Sequence, residues 1–187
     1  MRPLASHQIL PPPPQRVRTF LPGLSKLAGQ SVARHRSHQW QRVIQFPPGT
    51  IYSVVADVSA YDEFLPFCIA SKVAERQVDD EGNATLQTGI RVGFATMQSQ
   101  FSSTVTLTPL KRVHADCQPN EYLENLSFSW DFSPVGERAC RLDLRLDFSL
   151  HSAEHALMWD FVEEKIIEQY LDAFQKRCEH VEARASK

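Results

Sequence analysis

Cys140-Arg141-Leu142-Asp143-Leu144-Arg145-Leu146-Asp147-Phe148-Ser149-Leu150 alternates without a fault. Successive side chains of an extended chain point to opposite sides, so Leu142, Leu144, Leu146 and Phe148 share one face and Arg141, Asp143, Arg145 and Asp147 the other. Then the period changes. From about Ala153 to Ala183, Trp159, Val162, Ile166, Tyr170, Phe174, Cys178 and Val181 recur at steps of three and four, the spacing of one stripe along an α-helix. Asp172 and Lys176 form an i, i+4 pair off that stripe. A strand with one dry face, followed by a helix long enough to cover several strands, decides the architecture.

Reading back toward the N-terminus, period two persists. Leu126, Phe128, Trp130 and Phe132 alternate with Ser127, Ser129, Asp131 and Ser133, and Phe101, Ser103, Val105 and Leu107 with Ser102, Thr104, Thr106 and Thr108. Ala84, Leu86, Ile90, Val92 and Phe94 alternate with Thr85, Gln87, Gly89, Arg91 and Gly93. Arg112–Gln118 and Ala70–Gln77 read as further strands, the latter ending in the turn residues Asp79-Asp80-Glu81-Gly82-Asn83. Ahead of them, Ile51, Val54, Val55 and Val58 have helical spacing after Pro47-Pro48-Gly49, and a second short helix through Tyr61, Phe64 and Leu65 breaks at Pro66. Ser37–Phe46 reads as the first strand, its apolar face made by Trp40, Val43 and Phe46. The order predicted is strand, two short helices, about six strands, long helix: an α+β chain whose curved antiparallel sheet wraps on the C-terminal helix. Such a sheet must cover its apolar face, and curvature leaves space beneath the helix for an apolar ligand.

Charge divides the 187 residues. The first 56 contain Arg2, Arg16, Arg18, Lys26, Arg34, Arg36 and Arg42 and no acid, so all 22 acidic residues fall from Asp57 onward. Residues 1–36 are Arg-rich, contain Ser6, Ser25, Ser31 and Ser37 close behind, and lack a continuous apolar core because Ile9-Leu10 runs into Pro11–Pro14. That composition predicts an organelle transit peptide or a disordered basic leader, with a plastid address left open, ahead of a folded domain over 37–184. No stretch approaches the ~20 apolar residues of a membrane-spanning helix. An acidic body argues against a nucleic-acid partner.

Catalytic and metal motifs are weak. Cys68, Cys117, Cys140 and Cys178 are scattered without a C-x-x-C pair, which suits small core residues better than a metal or disulfide framework. His151-Ser152-Ala153-Glu154-His155 spells H-x-x-E-H, but it straddles the join of strand and helix, so the two rings would not share a helical face. His114-Ala115-Asp116-Cys117 suggests a nucleophile, yet neighbours in a strand diverge and no third group orients the pair. The Arg141/Asp143/Arg145/Asp147 ladder reads as a solvated face paired to adjacent strands.

Asp57-Val58-Ser59-Ala60-Tyr61-Asp62-Glu63-Phe64-Leu65-Pro66-Phe67-Cys68, continuing to Ser71 and Val73, resembles the mitochondrial coenzyme Q-binding family of the START/polyketide-cyclase superfamily. Val92-Gly93-Phe94, Ser103-x-Val105, Trp130-x-Phe132-x-Pro134, Cys140 with its strand, and Ala173-Phe174-x-x-Arg177 agree in order. Phe101 departs from the pattern, standing where that family has a Tyr. The resemblance implies a helix-grip (START-like) fold and a non-enzymatic role. The chain would bind ubiquinone or a related polyprenyl quinone as a lipid chaperone for respiration and quinone synthesis. It would do so peripherally at the matrix side of the mitochondrial inner membrane, beside respiratory or quinone-biosynthesis proteins, without a catalytic cofactor or metal. The candidates for enclosing that ligand are Phe64, Leu65 and Pro66 at a mouth, Phe94, Trp130 and Phe132 on the sheet, and Val162 and Ile166 on the helix. The competing readings are a cyclase or dehydratase of the same superfamily, which needs polar or ionisable groups on the inner face where the inward positions named here are almost all apolar, and a ribosome-associated partner-binding module.

Overall fold

The computed structural model describes residues 34–94 and 97–185, except for the side chains of residues 94, 97, 157, 158 and 160–164. Seven strands, β1 (His35–Ile44), β2 (Cys68–Val78), β3 (Ala84–Phe94), β4 (Met97–Thr108), β5 (Arg112–Cys117), β6 (Leu123–Gly136) and β7 (Ala139–Leu150), form one antiparallel sheet in the order β1-β7-β6-β5-β4-β3-β2. From β2 onward each strand pairs with the next, so hairpins alone build the series. Only β1 breaks it, by pairing with β7 at the far edge.

The chain must therefore travel from one edge of the sheet to the other between β1 and β2. A flat seven-stranded sheet would separate its edges by about 29 Å at ordinary strand spacing. The connection is α1 (Pro48–Ala56), a 3₁₀ turn (Val58–Ala60) and α2 (Tyr61–Phe64), which pack on the inner face of the curved sheet rather than around it. Pro48 suits the first turn of α1, where its missing N–H would be unpaired anyway. Ile51, Val54, Val55 and Val58 are the apolar side of this connection, and all four are buried.

The last element, α3 (Ala153–Ala185), starts where Ser152 Oγ accepts the backbone N–H of His155. Its C-terminal half places Phe174 and Cys178 in one core with Ile51, Val55, Tyr61, Leu86, Val105, Val113, Trp130 and Leu142. Its N-terminal segment places Ala156 and Trp159 in a second, smaller cluster with Phe148, Leu150, Leu123, Leu126 and Leu146. The helix-grip fold follows: a sheet closed around one long helix.

The outer face is polar and self-paired. Asp143 accepts from Gln41 of the neighbouring strand at 2.6 Å and lies 3.4 Å from Arg141, while Arg112 reaches Asp131 at 2.6 Å. The β2–β3 turn is held by Asp79, whose carboxylate accepts the N–H groups of Glu81 and Asn83, with Gly82 at φ +83°. Bonding to the Asn83 side chain above all holds the Asp79 carboxyl below its ordinary pKa.

The first strand corrects the sequence reading. It runs from His35 to Ile44 rather than from 37 to 46, and Val43 is 49% exposed instead of inward. The inward side is His38, Trp40 and Ile44, and Phe46 packs on the core from beyond the strand. Positions 40, 43 and 46 differ by three, and no strand brings such a set to one face. The expected leader, residues 1–36, lies up to residue 33 outside the described residues, and His35 and Arg36 belong to β1.

Candidate ligand-binding site

Beneath α3 the floor of the grip is mainly apolar, and one transverse polar row crosses its middle. Thr88 of β3, Ser103 of β4 and Cys117 of β5 are direct cross-strand neighbours. Thr88 and Ser103 are buried, and their hydroxyls lie 2.7 Å apart. Burial pushes the Cys117 thiol up to about 11, against a bond to Ser103 that pulls the other way, so it stays neutral. The row continues across the sheet as Leu126 and Phe148. On one side of it run Leu86, Val105, Ala115, Phe128 and Leu146; on the other lie Ile90 and Phe101.

Trp159 descends from α3 onto the end of that row, edge-on to Phe148 with ring centroids 5.1 Å apart. One turn earlier on the same face, His155 stands edge-on to Tyr122 at 5.3 Å. The indole Nε1 of Trp159 and the ring Nδ1 of His155 are buried without a hydrogen-bond partner among the described residues. Further along α3, burial pushes the Tyr170 hydroxyl up to about 12, with the neighbouring Cys68 adding to the shift.

The other end of the grip is closed by aromatic packing. Phe174 meets Trp130 at 5.1 Å, Phe64 at 5.4 Å and Tyr61 at 5.5 Å between ring centroids. Tyr61 donates its hydroxyl to the backbone oxygen of Val55 and is buried, and burial first of all drives its pKa upward. Arg177 lies 5.3 Å over the Phe64 ring and pairs with Glu63 at 2.8 Å. Outside this packing, Phe64, Leu65 and Pro66 line an open cleft of about 590 Å³, whose far wall includes Gln169, Asp172, Lys176 and His180 of α3. Phe67 follows at φ +64°, a left-handed conformation costly for a bulky side chain. Its backbone oxygen accepts the N–H of Gly93 at 2.9 Å, which ties the Leu65–Cys68 turn to the tip of the β3–β4 hairpin. A Cβ at Gly93 would meet the end of the exposed Ile69 side chain, which would have to turn aside.

The structure thus brings Phe64, Leu65 and Pro66 together at one cleft. Trp130 joins them through Phe174 but sits in the core, beside a crevice with Trp40, Leu171 and Cys178 that has room for about 20 Å³, roughly one water. Phe132 is buried edge-on to Tyr52 at 5.6 Å, apart from that group. Ile166 is half-buried on α3, and the side chains of Phe94 and Val162 lie outside the described residues.

Sequence reasoning missed Thr88, Cys117, His155 and Trp159 as site residues. Thr88 falls between Leu86 and Ile90 in the inward set, so strict period-two counting would have found it. The H-x-x-E-H segment divides as expected, with the His151 ring bonded to the backbone oxygen of Asn120 before α3 begins. His114 meets Asp116 at 3.1 Å, and the inward Cys117 takes no part. Asp172 and Lys176, read as an outward pair, are wall residues of the cleft.

Residues 44–175 match the sequence signature described as polyketide cyclase / dehydrase and lipid transport. The chain belongs to that family. Among named relatives, it is 26% identical to the mitochondrial coenzyme Q-binding protein coq10 of Schizosaccharomyces pombe, over 79% of this chain and 90% of that protein. It is 27% identical to the mitochondrial coenzyme Q-binding protein COQ10 homolog B of Xenopus laevis, over 89% of this chain and 66% of that one. It is also 27% identical to the ribosome association toxin RatA of Vibrio cholerae, over 74% and 92% of the two chains. Two solved structures share the fold with a TM-score of 0.66 each. One is the ZhuI aromatase/cyclase of Streptomyces, at 18% identity over 78% of this chain and 94% of that one. The other is an 18 kDa protein of Caulobacter crescentus, at 21% identity over 79% and 99%.

Proposed function

We propose that this chain binds coenzyme Q beneath α3 and serves as a lipid chaperone for respiratory electron transport and quinone synthesis. The observation that carries the reading is the inner face itself: apolar rows crossed by the neutral hydroxyl and thiol groups of Thr88, Ser103 and Cys117. A prenylated quinone needs such a surface, because its ring offers oxygens while its tail offers only hydrocarbon. The names of the coenzyme Q-binding relatives point the same way and suggest a mitochondrial location. Cyclase chemistry would ask for polar or ionisable groups placed to move a proton; the Thr88–Ser103–Cys117 row supplies neutral groups, and a catalytic reading would have to rest on an ionisable side chain such as His155, one turn from Trp159.

The turn at Leu65-Pro66-Phe67 with the exposed Ile69 is the proposed mouth and the site of peripheral contact with the matrix side of the inner membrane. No helix among the described residues is long and apolar enough to cross a membrane. At ~0.8 kcal/mol per buried carbon, each five-carbon isoprene unit brought into water would cost about 4 kcal/mol. Carriage by a single domain therefore means partial extraction, with the ring inside and the far tail in lipid or shielded by a second copy.

Mass spectrometry of lipid extracted from the purified full chain tests the reading. Co-purifying ubiquinone is the expected result. Protein free of quinone that co-sediments with ribosomes would overturn it in favour of the partner-binding alternative. A monomer holding full-length quinone in detergent-free solution would overturn partial extraction alone.

A further inference from the structure

Two polar atoms near the start of α3 are unusual for their surroundings. Trp159 Nε1 and His155 Nδ1 are buried without hydrogen-bond partners among the described residues, one helical turn apart on the same face. Trp159 packs on a cluster of Phe148, Leu150, Leu123 and Leu126, which offers only rings and aliphatic groups, and His155 stands edge-on to the ring of Tyr122. Buried donors are nearly always satisfied, because leaving one unpaired forfeits its hydration with nothing in return. An indole N–H can only donate, so what completes Trp159 must be an acceptor. A histidine Nδ1 donates or accepts according to its tautomer.

We infer that Trp159, with His155 beside it, is the hydrogen-bonding hook for a ring oxygen of the bound lipid and determines specificity for an oxygenated head over a bare prenyl chain. The inference rests on the quinone reading and adds a direction to it. The head lies at the N-terminal end of α3, on the side of the floor where the Thr88–Ser103–Cys117 row runs into Leu126 and Phe148. The tail runs toward the Leu65–Phe67 turn. A quinone carbonyl and a quinol hydroxyl both accept from Trp159, and His155 matches either by exchanging tautomers, so one hook serves both redox states.

The test uses the full chain with Trp159→Phe, which keeps an aromatic ring over Phe148 and removes the N–H together with part of the indole's area, so an oxygen-free ligand is the control for lost packing. Two ligands of equal tail length are titrated by calorimetry in the same micelles: a short-tail ubiquinone and a prenylated benzene without oxygens. The variant is expected to bind the quinone about tenfold more weakly, the worth of one hydrogen bond. Its loss for the oxygen-free ligand should be much smaller, measuring only the reduced ring area. Unchanged quinone affinity, or an equal loss for both ligands, overturns the hook. His155→Leu, with an expected smaller and equally quinone-selective loss, provides the same discrimination if the first variant folds poorly. A wild-type chain that binds no quinone overturns the carrier reading itself, whereas wild-type binding with an unaffected variant overturns only the hook.

Discussion

The two ends of α3 make different uses of the same amphipathic stripe. At the C-terminal end, Phe174 touches three aromatic rings, Cys178 is 2% exposed, and the polar partner Arg177 is itself paired with Glu63. At the N-terminal end, Trp159 packs on a smaller cluster, and it and His155 one turn away keep buried polar atoms without partners among the described residues. One end is satisfied and closes the grip, and the other is left incomplete in a way a ligand can finish. Unpaired polar groups cost stability, and proteins retain them where function uses them.

That contrast can be broken most forcefully at Phe174. Phe174→Ala removes the shared ring of the closed end and should cost about 3–5 kcal/mol in urea denaturation. A loss below 1 kcal/mol would show that α2 and the sheet do not depend on it. Thr88→Val keeps the shape of the floor but takes one of two partners from the buried Ser103 hydroxyl, leaving it the Cys117 thiol, with an expected loss of about 1 kcal/mol by the same assay. Arg177→Met keeps the aliphatic cover of Phe64 and gives up the cation–ring contact and a pair whose Glu63 is largely exposed. It should cost about 1 kcal/mol or less. The final difference vanishes at neutral pH. Burial raises the thiols of Cys178, to about 12, and Cys117, to about 11, so the unfolded chain loses those protons first as pH climbs. Their contribution is complete below pH 9 and is lost between about 9 and 12, and replacing Cys178 with Ala should flatten that alkaline fall in the denaturation midpoint.

Much of this architecture was legible because period and length survive in a single line of sequence. The alternation of Cys140–Leu150 and the stripe from Trp159 to Val181 each reflect one element meeting one surface, and both recur in the structure. The first strand was harder: as an edge strand its inward positions include His38, and Val43 is exposed, so apolarity misplaced its face. The polar row escaped for a different reason. Thr88, Ser103 and Cys117 are neighbours only through the registers of two hairpins, which a strand read alone does not reveal. The unpaired atoms of His155 and Trp159 were beyond reach, since a missing partner is a property of the packed state. The motif around Asp57–Cys68 located a real junction, where α2, the Phe67 turn and the tip of the β3–β4 hairpin meet.

Photolabelling with an azido-ubiquinone, followed by peptide mapping of the full chain, tests most directly where the ligand sits. The account predicts label that unmodified ubiquinone competes away, on α3 around 155–166 and on β4 and β5 near Ser103 and Cys117. Label confined to the outer cleft at Asp172, Lys176 and His180, or label that ubiquinone does not displace, would contradict it.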